Sequence, residues 1–447
     1  MTTLIAYTIA LLAATTIAVQ VKVLYKSGLT ERDPLLFFGL FLVMLTSLIY
    51  EAGILLRGQA GQVAVIGLVL VTVLAAISKS VRSRVKHKIQ LSVFWPAIIA
   101  ALLFSVNALM NPEIDLPQII GRSLGILTLT LIGLAFALSN LKLHDVAATL
   151  VLATSFMFMI APLSGLNWRP CDKFKCGPFD ALYTGPFQSE NTVALFCGVG
   201  LLCAFLTYAG RSSVITIVMF ALTLYATESR TSQLALAVGL AVWPIASLAT
   251  SWCRSTGLNP SALASRSRLV TVAASLGTAG LFIVGFRLVT EAEPSDFSNR
   301  GKVWILGLSA LGEDWFSGLG IDRWYTYQSV GAVPSHFPHS EYLFLLFTGG
   351  IGAVIGLFII YTQSIKKSFI HRGAPPFAIS YVAFLGVTGM TELFWNPIAA
   401  DGNVFVMFPL IFLLSLVKSE VSTEDRPTIP VPSSRRRASA PRVRSIY

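Results

Sequence analysis

Apolar residues in this chain come in runs of roughly 17 to 25, parted by short polar turns that carry most of its charge. Wound as helices, runs of that length match the hydrocarbon thickness of a bilayer. There, only helices and closed barrels satisfy their own backbone polar groups. Barrel strands need about 10 residues of alternating character, and these runs neither alternate nor stop so soon. The pattern predicts helices near residues 2 to 24, 35 to 56, 62 to 79, 91 to 110, 117 to 139, 145 to 165, 188 to 209, 212 to 228, 231 to 251, 269 to 289, 341 to 364, 376 to 394 and 402 to 417. The expected fold is an all-α polytopic membrane protein of about 12 to 13 transmembrane helices, with one larger extracytoplasmic loop, 290–340, carrying short helices.

Composition excludes other classes. With 54% hydrophobic and 12% charged residues and a mean hydropathy of +0.71, the chain cannot be a soluble globular domain. Its net charge of +11 then reads as topology, and nucleic acid is not an expected partner. Cytoplasmic loops concentrate Lys and Arg; with the C-terminus inside, 23 of the 33 such residues fall on the cytoplasmic side. Thirteen spans put the N-terminus outside, and one fewer reverses it. No cleavable signal peptide is expected, since Met1 to Gln20 lacks a basic n-region. Three parts are expected: N-terminal transmembrane helices over 1–165, a second membrane domain over 166–417 that includes the 290–340 loop, and a disordered basic cytoplasmic tail over 418–447. The tail, with Arg435, Arg436 and Arg437, is too polar to fold alone and suits anionic membrane lipids. Phosphorylation of Ser439 would release it.

Cys171 and Cys176 share the outward loop Asn167 to Phe187, whereas Cys197 and Cys203 fall in a span and Cys253 at the cytoplasmic end of another. A Cys-x4-Cys pair facing an oxidising compartment points to a disulfide rather than a metal site, since no other Cys and no His lies nearby. No metal and no cofactor is expected.

Chemistry is therefore sought among charges at the outer membrane edge, where ionisable residues are costly and mark function. Arg230 sits in the hinge Thr227-Glu228-Ser229-Arg230-Thr231-Ser232, Arg122 follows Gly121 at the outer end of a span, and Arg169 precedes Pro170-Cys171. Any one alone reads as a snorkelling anchor or as the partner of Glu113, Asp115 or Glu228. More informative is Ser335-His336-Phe337-Pro338-His339-Ser340-Glu341-Tyr342, which closes the long polar loop and enters the apolar run Leu343 to Tyr361. Arg300 and Trp304 stand about forty residues upstream.

This arrangement resembles the bacterial O-antigen ligase and O-antigen polymerase family. The resemblance rests on Ser229-Arg230-Thr231 opening an apolar helix, Ser298-Asn299-Arg300 followed by Trp304, the turn Gly318-Leu319-Gly320, and His339-Ser340 leading to Tyr342-Leu343 and Gly349-Gly350-Ile351-Gly352. The stretch from Gly185 to Asn191 also looks like the family's loop before a span, so the likeness covers about residues 185 to 365. Glu313-Asp314-Trp315 departs from the family, which usually has Asn-Pro or similar there. The resemblance implies a glycan ligase or polymerase, with a polyprenyl-diphosphate-linked oligosaccharide as donor and a glycan or lipid as acceptor. It also implies an active site outside the plasma membrane and polysaccharide-assembly proteins as further partners.

Such a site needs cations at the leaving diphosphate, and guanidinium groups fork onto phosphate oxygens. Arg230 and Arg300 are the candidates, with Arg122, Arg169 and Arg323 behind them. The attacking hydroxyl must lose a proton, and an imidazole takes it at neutral pH. His339 is the candidate base, with Glu341 and His336 able to substitute for it or orient it. Trp304 is an anchor or a surface for sugar stacking, and Gly301 to Leu311 reads as a short helix along the outer surface. The glycines after the histidine read as helix-packing surfaces. A transporter or flippase would share the span count, but such folds carry internal repeats and midplane polar groups, and neither is evident here.

Overall fold

The computed structural model describes residues 1–26, 34–52, 67, 72, 89–111, 115–139, 141–165, 167–171, 175–187, 189–207, 212–254, 260–331, 333, 338–371, 373–397 and 402–416. The span expected near 62 to 79 lies outside these residues apart from Gly67 and Thr72. His336 and the tail also lie outside them.

The first half is helical: α1 (Thr2–Lys26), α2 (Pro34–Ala52), α3 (Trp95–Met110), α4 (Leu116–Ala137) and α5 (Leu143–Ile160). A two-stranded hairpin follows, β1 (Trp168–Pro170) antiparallel to β2 (Ala181–Tyr183), with Arg169 opposite Leu182. Helices resume with α6 (Glu190–Thr207), α7 (Ser212–Thr227), α8 (Arg230–Arg254) and α9 (Pro260–Thr290). Two helices of the polar loop come next, α10 (Asp296–Leu311) and α11 (Ile321–Ser329), then α12 (Glu341–Ser368), α13 (Ala374–Thr391) and α14 (Phe408–Ser415).

Nine helices among the described residues are long and apolar enough to cross a membrane. Three shorter apolar helices, Phe37–Ile49, Val214–Thr227 and Val404–Ser415, fall on further expected spans. The chain is thus an all-α polytopic membrane protein. Its helix ends follow ordinary capping rules: Asp115 accepts the Gln118 N–H at 2.9 Å to start α4, and Ser340 accepts the Leu343 N–H at 3.4 Å to start α12.

Almost wholly buried, α13 is the central post, packed against α8, α9, α12 and α6. Helices inside lipid associate through close packing and interhelical hydrogen bonds rather than by escaping water. Two tyrosine hydroxyls supply such bonds: Tyr342 donates to the Gly386 carbonyl and Tyr381 to that of Val406, both at 2.6 Å.

Helix α12 is broken at Gly349 and Gly350, whose backbone leaves the helical region (φ −140° and +64°). The turn after α10 fills the gap, with Leu319 N–H donating to the Phe347 carbonyl at 2.7 Å and Ile351 N–H donating to that of Trp315 at 3.1 Å. The usual helical bond from Ile351 to Phe347 is thereby exchanged for two bonds to this turn. The approach is too close for side chains: a Cβ on Gly350 would stand 2.0 Å from the Phe316 carbonyl oxygen, and one on Gly318 (φ +75°) 2.5 Å from the Gly350 nitrogen. The Gly318 turn and the Gly349-Gly350 pair, the latter read as a packing surface in the sequence, are thus two halves of one backbone crossing. Gly350→Ala combines a disfavoured φ, costing about 1–3 kcal/mol, with overpacking of about 1–3 kcal/mol. We expect a clear drop in the thermal unfolding temperature of the purified protein; an unchanged midpoint would refute the crossing.

Candidate functional site

The start of α12 and the end of α13 are stapled together. Ser340 Oγ donates to the Gly389 carbonyl at 3.3 Å, and Glu341 N–H donates to that of Glu392 at 3.2 Å. The Glu341 carboxylate accepts the backbone N–H groups of Phe394 and Trp395, both at 3.1 Å. From the other side Trp304 on α10 donates its indole N–H to the Pro338 carbonyl at 2.6 Å. These contacts set where His339 and Glu392 stand.

Arg300, one turn before Trp304 on α10, reaches the same place. Its Nη2 donates to Glu392 Oε1 at 2.7 Å and its Nη1 to the Thr391 carbonyl. On the opposite side of that carboxylate, His339 Nδ1 lies 3.9 Å from Glu392 Oε2. Glu392 is therefore shared by the two residues, and the three side chains are 17%, 11% and 34% exposed for Arg300, Glu392 and His339. A pair so largely withdrawn from water is strongly coupled.

The cluster extends to α8 and to the hairpin. Thr391 Oγ1 donates to Thr231 Oγ1 at 2.8 Å, beside Arg230 at the first position of α8. Arg230 itself projects outward, 80% exposed and 3.7 Å from Glu228. Ser229 Oγ donates to Asn191 Oδ1 at 3.0 Å, and Lys175 Nζ donates to that same oxygen and to Glu190 Oε1, each at 3.2 Å. Arg169 completes this end at 3.4 Å from Glu190. Burial pushes the Lys175 ammonium below its ordinary range and the Glu190 carboxylate pulls it back. Glu392 and Arg300 also act on it, with opposite signs.

Backbone strain collects here too. Among the described residues five non-glycine positions have positive φ, and three of them are His339 (+48°) itself, Asn299 (+70°) just before Arg300, and Glu228 (+51°), the ion-pair partner of Arg230. Such conformations cost energy and persist where the surroundings enforce them.

Other expectations are placed differently. Trp304 is wholly buried, packed with Val289 and Leu343, so it offers no face for sugar stacking and acts as an anchor for the His339 loop. Glu341 is likewise fully buried and spends its carboxylate on backbone N–H groups, so it shapes the 392–395 turn rather than meeting substrate. Arg122 forms an ion pair with Asp322 on α11; Glu113, one of its expected partners, lies outside the described residues. Asn107 joins the pair, donating to Asp322 Oδ2 at 2.8 Å. Arg323, the next residue, is exposed. Cys171 and Cys176 are disulfide-bonded with their Cα atoms 4.5 Å apart. The helix expected over Gly301 to Leu311 begins five residues earlier, at Asp296.

Residues 215–361 match the family model described as O-antigen ligase. Over these residues, about a third of its length, the chain is similar to the O-antigen ligase family. That similarity supports a glycan ligase or polymerase type of function in general, for which a lipid-linked oligosaccharide and a glycan acceptor are the implied substrates. No curated protein sequence matches the chain. The O-antigen ligase match runs from α7 into α12 and takes in Arg230, Arg300 and His339, while Lys175 and Glu190 lie before it and Glu392 beyond it. Lys175, Glu190 and Glu392 are site residues that the sequence did not single out, and Glu392 is the one that meets both Arg300 and His339. An acid at the polar end of an apolar run, Thr391-Glu392-Leu393, was the available signal.

Proposed function

We propose that the protein transfers or polymerises oligosaccharide from a polyprenyl-diphosphate carrier at the outer face of the plasma membrane, for surface polysaccharide assembly. The convergence of Arg300 and His339 on Glu392 carries this reading, because it puts a fixed cation and a base within one small region. The acceptor hydroxyl oxygen attacks the anomeric carbon, the bond from that carbon to the diphosphate oxygen breaks, and polyprenyl diphosphate leaves with the electron pair. Arg300 uses two of its five N–H donors on Thr391 and Glu392, which holds the guanidinium still while the remaining donors face the developing charge. Arg230, exposed at the rim, captures the diphosphate as it arrives.

The hydroxyl proton passes to His339, and the nearby Glu392 carboxylate stabilises the imidazolium that results. His336 remains the substitute for this base, and Arg169 and Arg323 bind outlying parts of the substrates. Arg122, committed to Asp322, fastens α4 to α11 instead. Guanidinium groups take the role a metal has in many sugar transfers, so the reaction is metal-independent. The domain working in this way is 166–417, with 1–165 as a supporting helical unit and 418–447 as a cytoplasmic tail. The acceptor is a glycan or lipid, and membrane lipids and polysaccharide-assembly proteins are the other partners.

Two experiments test this reading. Cysteine labelling of intact cells should reach introduced residues at 290 to 340 and 167 to 187, and reach 80 to 90 and the tail only after permeabilisation. An inside location for position 339 would overturn it. A deletion strain should lose long surface glycans. Single repeats still attached identify a polymerase, accumulated lipid-linked chains identify a ligase, and an unaltered surface contradicts both.

A further inference from the structure

We infer that the Cys171–Cys176 disulfide is a positioning device for the transfer site, holding Lys175 on Glu190 and Asn191 so that the hairpin, the start of α8 and the end of α13 stay in register. The inference rests on the function proposed above. Lys175 lies inside the ring that the disulfide closes, immediately before Cys176. Its ammonium bridges Glu190 and Asn191 at the first turn of α6, and Asn191 in turn accepts from Ser229, the residue before Arg230. Thr231 then meets Thr391, whose carbonyl accepts from Arg300. Polar contacts therefore link the disulfide ring to Ser229, and, after the short backbone step from Ser229 to Thr231, link Thr231 through Thr391 to Arg300 and Glu392.

The ring matters because a loop ammonium that settles into an ion pair gives up backbone freedom as well as side-chain freedom. Closing the backbone beforehand lowers that cost. Lys175 is a mostly buried cation, 18% exposed, opposite the 5% exposed Glu190. Removing it leaves the Glu190 carboxylate with Arg169 alone among these cations, on a guanidinium 42% exposed. The expected result is that Ser229 and the first turn of α8 shift and carry Arg230 and Thr391 with them. Displacements near 1 Å at a reacting site cost on the order of 100-fold in rate.

The test uses the full chain reconstituted in liposomes with a lipid-diphosphate-linked oligosaccharide and its acceptor. Lys175→Met should lower kcat about 10- to 100-fold per folded protein while donor KM changes little, and Lys175→Arg should return most of the turnover. A Cys171→Ser/Cys176→Ser protein should resemble Lys175→Met. Dithiothreitol, which reduces the bridge to two thiols and is itself oxidised to a cyclic disulfide, should bring the wild type to that level and leave the Ser/Ser protein unchanged. Arg300→Ala serves as the reference. If Arg300→Ala is inactive while Lys175→Met and the Ser/Ser protein keep wild-type kcat, the positioning role is wrong and the proposed function stands. Lower protein yield with unaltered kcat per folded molecule likewise reduces the disulfide to a structural staple. If Arg300→Ala itself transfers normally, the proposed function fails first.

Discussion

Arg300→Ala should abolish transfer, with turnover falling by at least about 10²- to 10³-fold, the loss seen when one preorganised donor to a developing negative charge is removed. The same change should also destabilise the protein. Arg300 is largely withdrawn from water and bonded to Glu392 at 2.7 Å, and removing one partner of a buried pair costs about 3–5 kcal/mol because the other charge is stranded. The two effects separate in Arg300→Ala/Glu392→Gln, where neither charge of this pair remains. Its thermal unfolding should return toward wild type while transfer stays lost. Arg300→Lys should restore less than about tenfold of the activity, since one ammonium cannot reach the Thr391 carbonyl, the carboxylate and a phosphate along a planar fork. Full activity in Arg300→Lys would mean that a point charge suffices.

His339→Asn should reduce turnover about 10²- to 10⁴-fold, the contribution of a positioned general base, with donor KM little affected. Asparagine is the informative replacement because His339 has φ +48°, a conformation that Asn tolerates better than most residues. His339→Ala would add backbone strain of about 1–3 kcal/mol to the chemical loss. Comparing kcat of folded His339→Asn and His339→Ala protein distinguishes the base from a residue that merely shapes the turn. Near-normal turnover in both would return His339 to an interface anchor and transfer the proton to another acceptor.

The bundle was readable from the chain because each span advertises itself locally, as an apolar run of the right length, and twelve of the thirteen expected runs coincide with apolar helices. Arg300 and His339 were readable for a similar reason: each is polar at the edge of apolar sequence. Their convergence was not readable, because it depends on Glu392, which lies 92 residues beyond Arg300 and inside what reads as the end of a span. Arg122 shows the same limit. Its partner Asp322 lies 200 residues away, beyond the reach of any local pattern. Trp304 and Glu341 fit the motif pattern of a binding site, yet burial gives them to the scaffold, and burial is a property of packing that a motif does not carry. Gly318 and Gly350 could each be seen as a turn or a packing site, but their contact with one another follows only from the path of the chain between them.

The most direct test is transfer by the purified full chain in liposomes, with labelled polyprenyl-diphosphate oligosaccharide, its acceptor and excess chelator. Glycan should pass to the acceptor and free polyprenyl diphosphate should appear in equal amount, and Arg300→Ala/Glu392→Gln and His339→Asn proteins, folded to wild-type extent, should leave the donor unconsumed. Donor consumption at the wild-type rate by both variants, or a wild-type reaction that stops when metal is chelated, would contradict this mechanism.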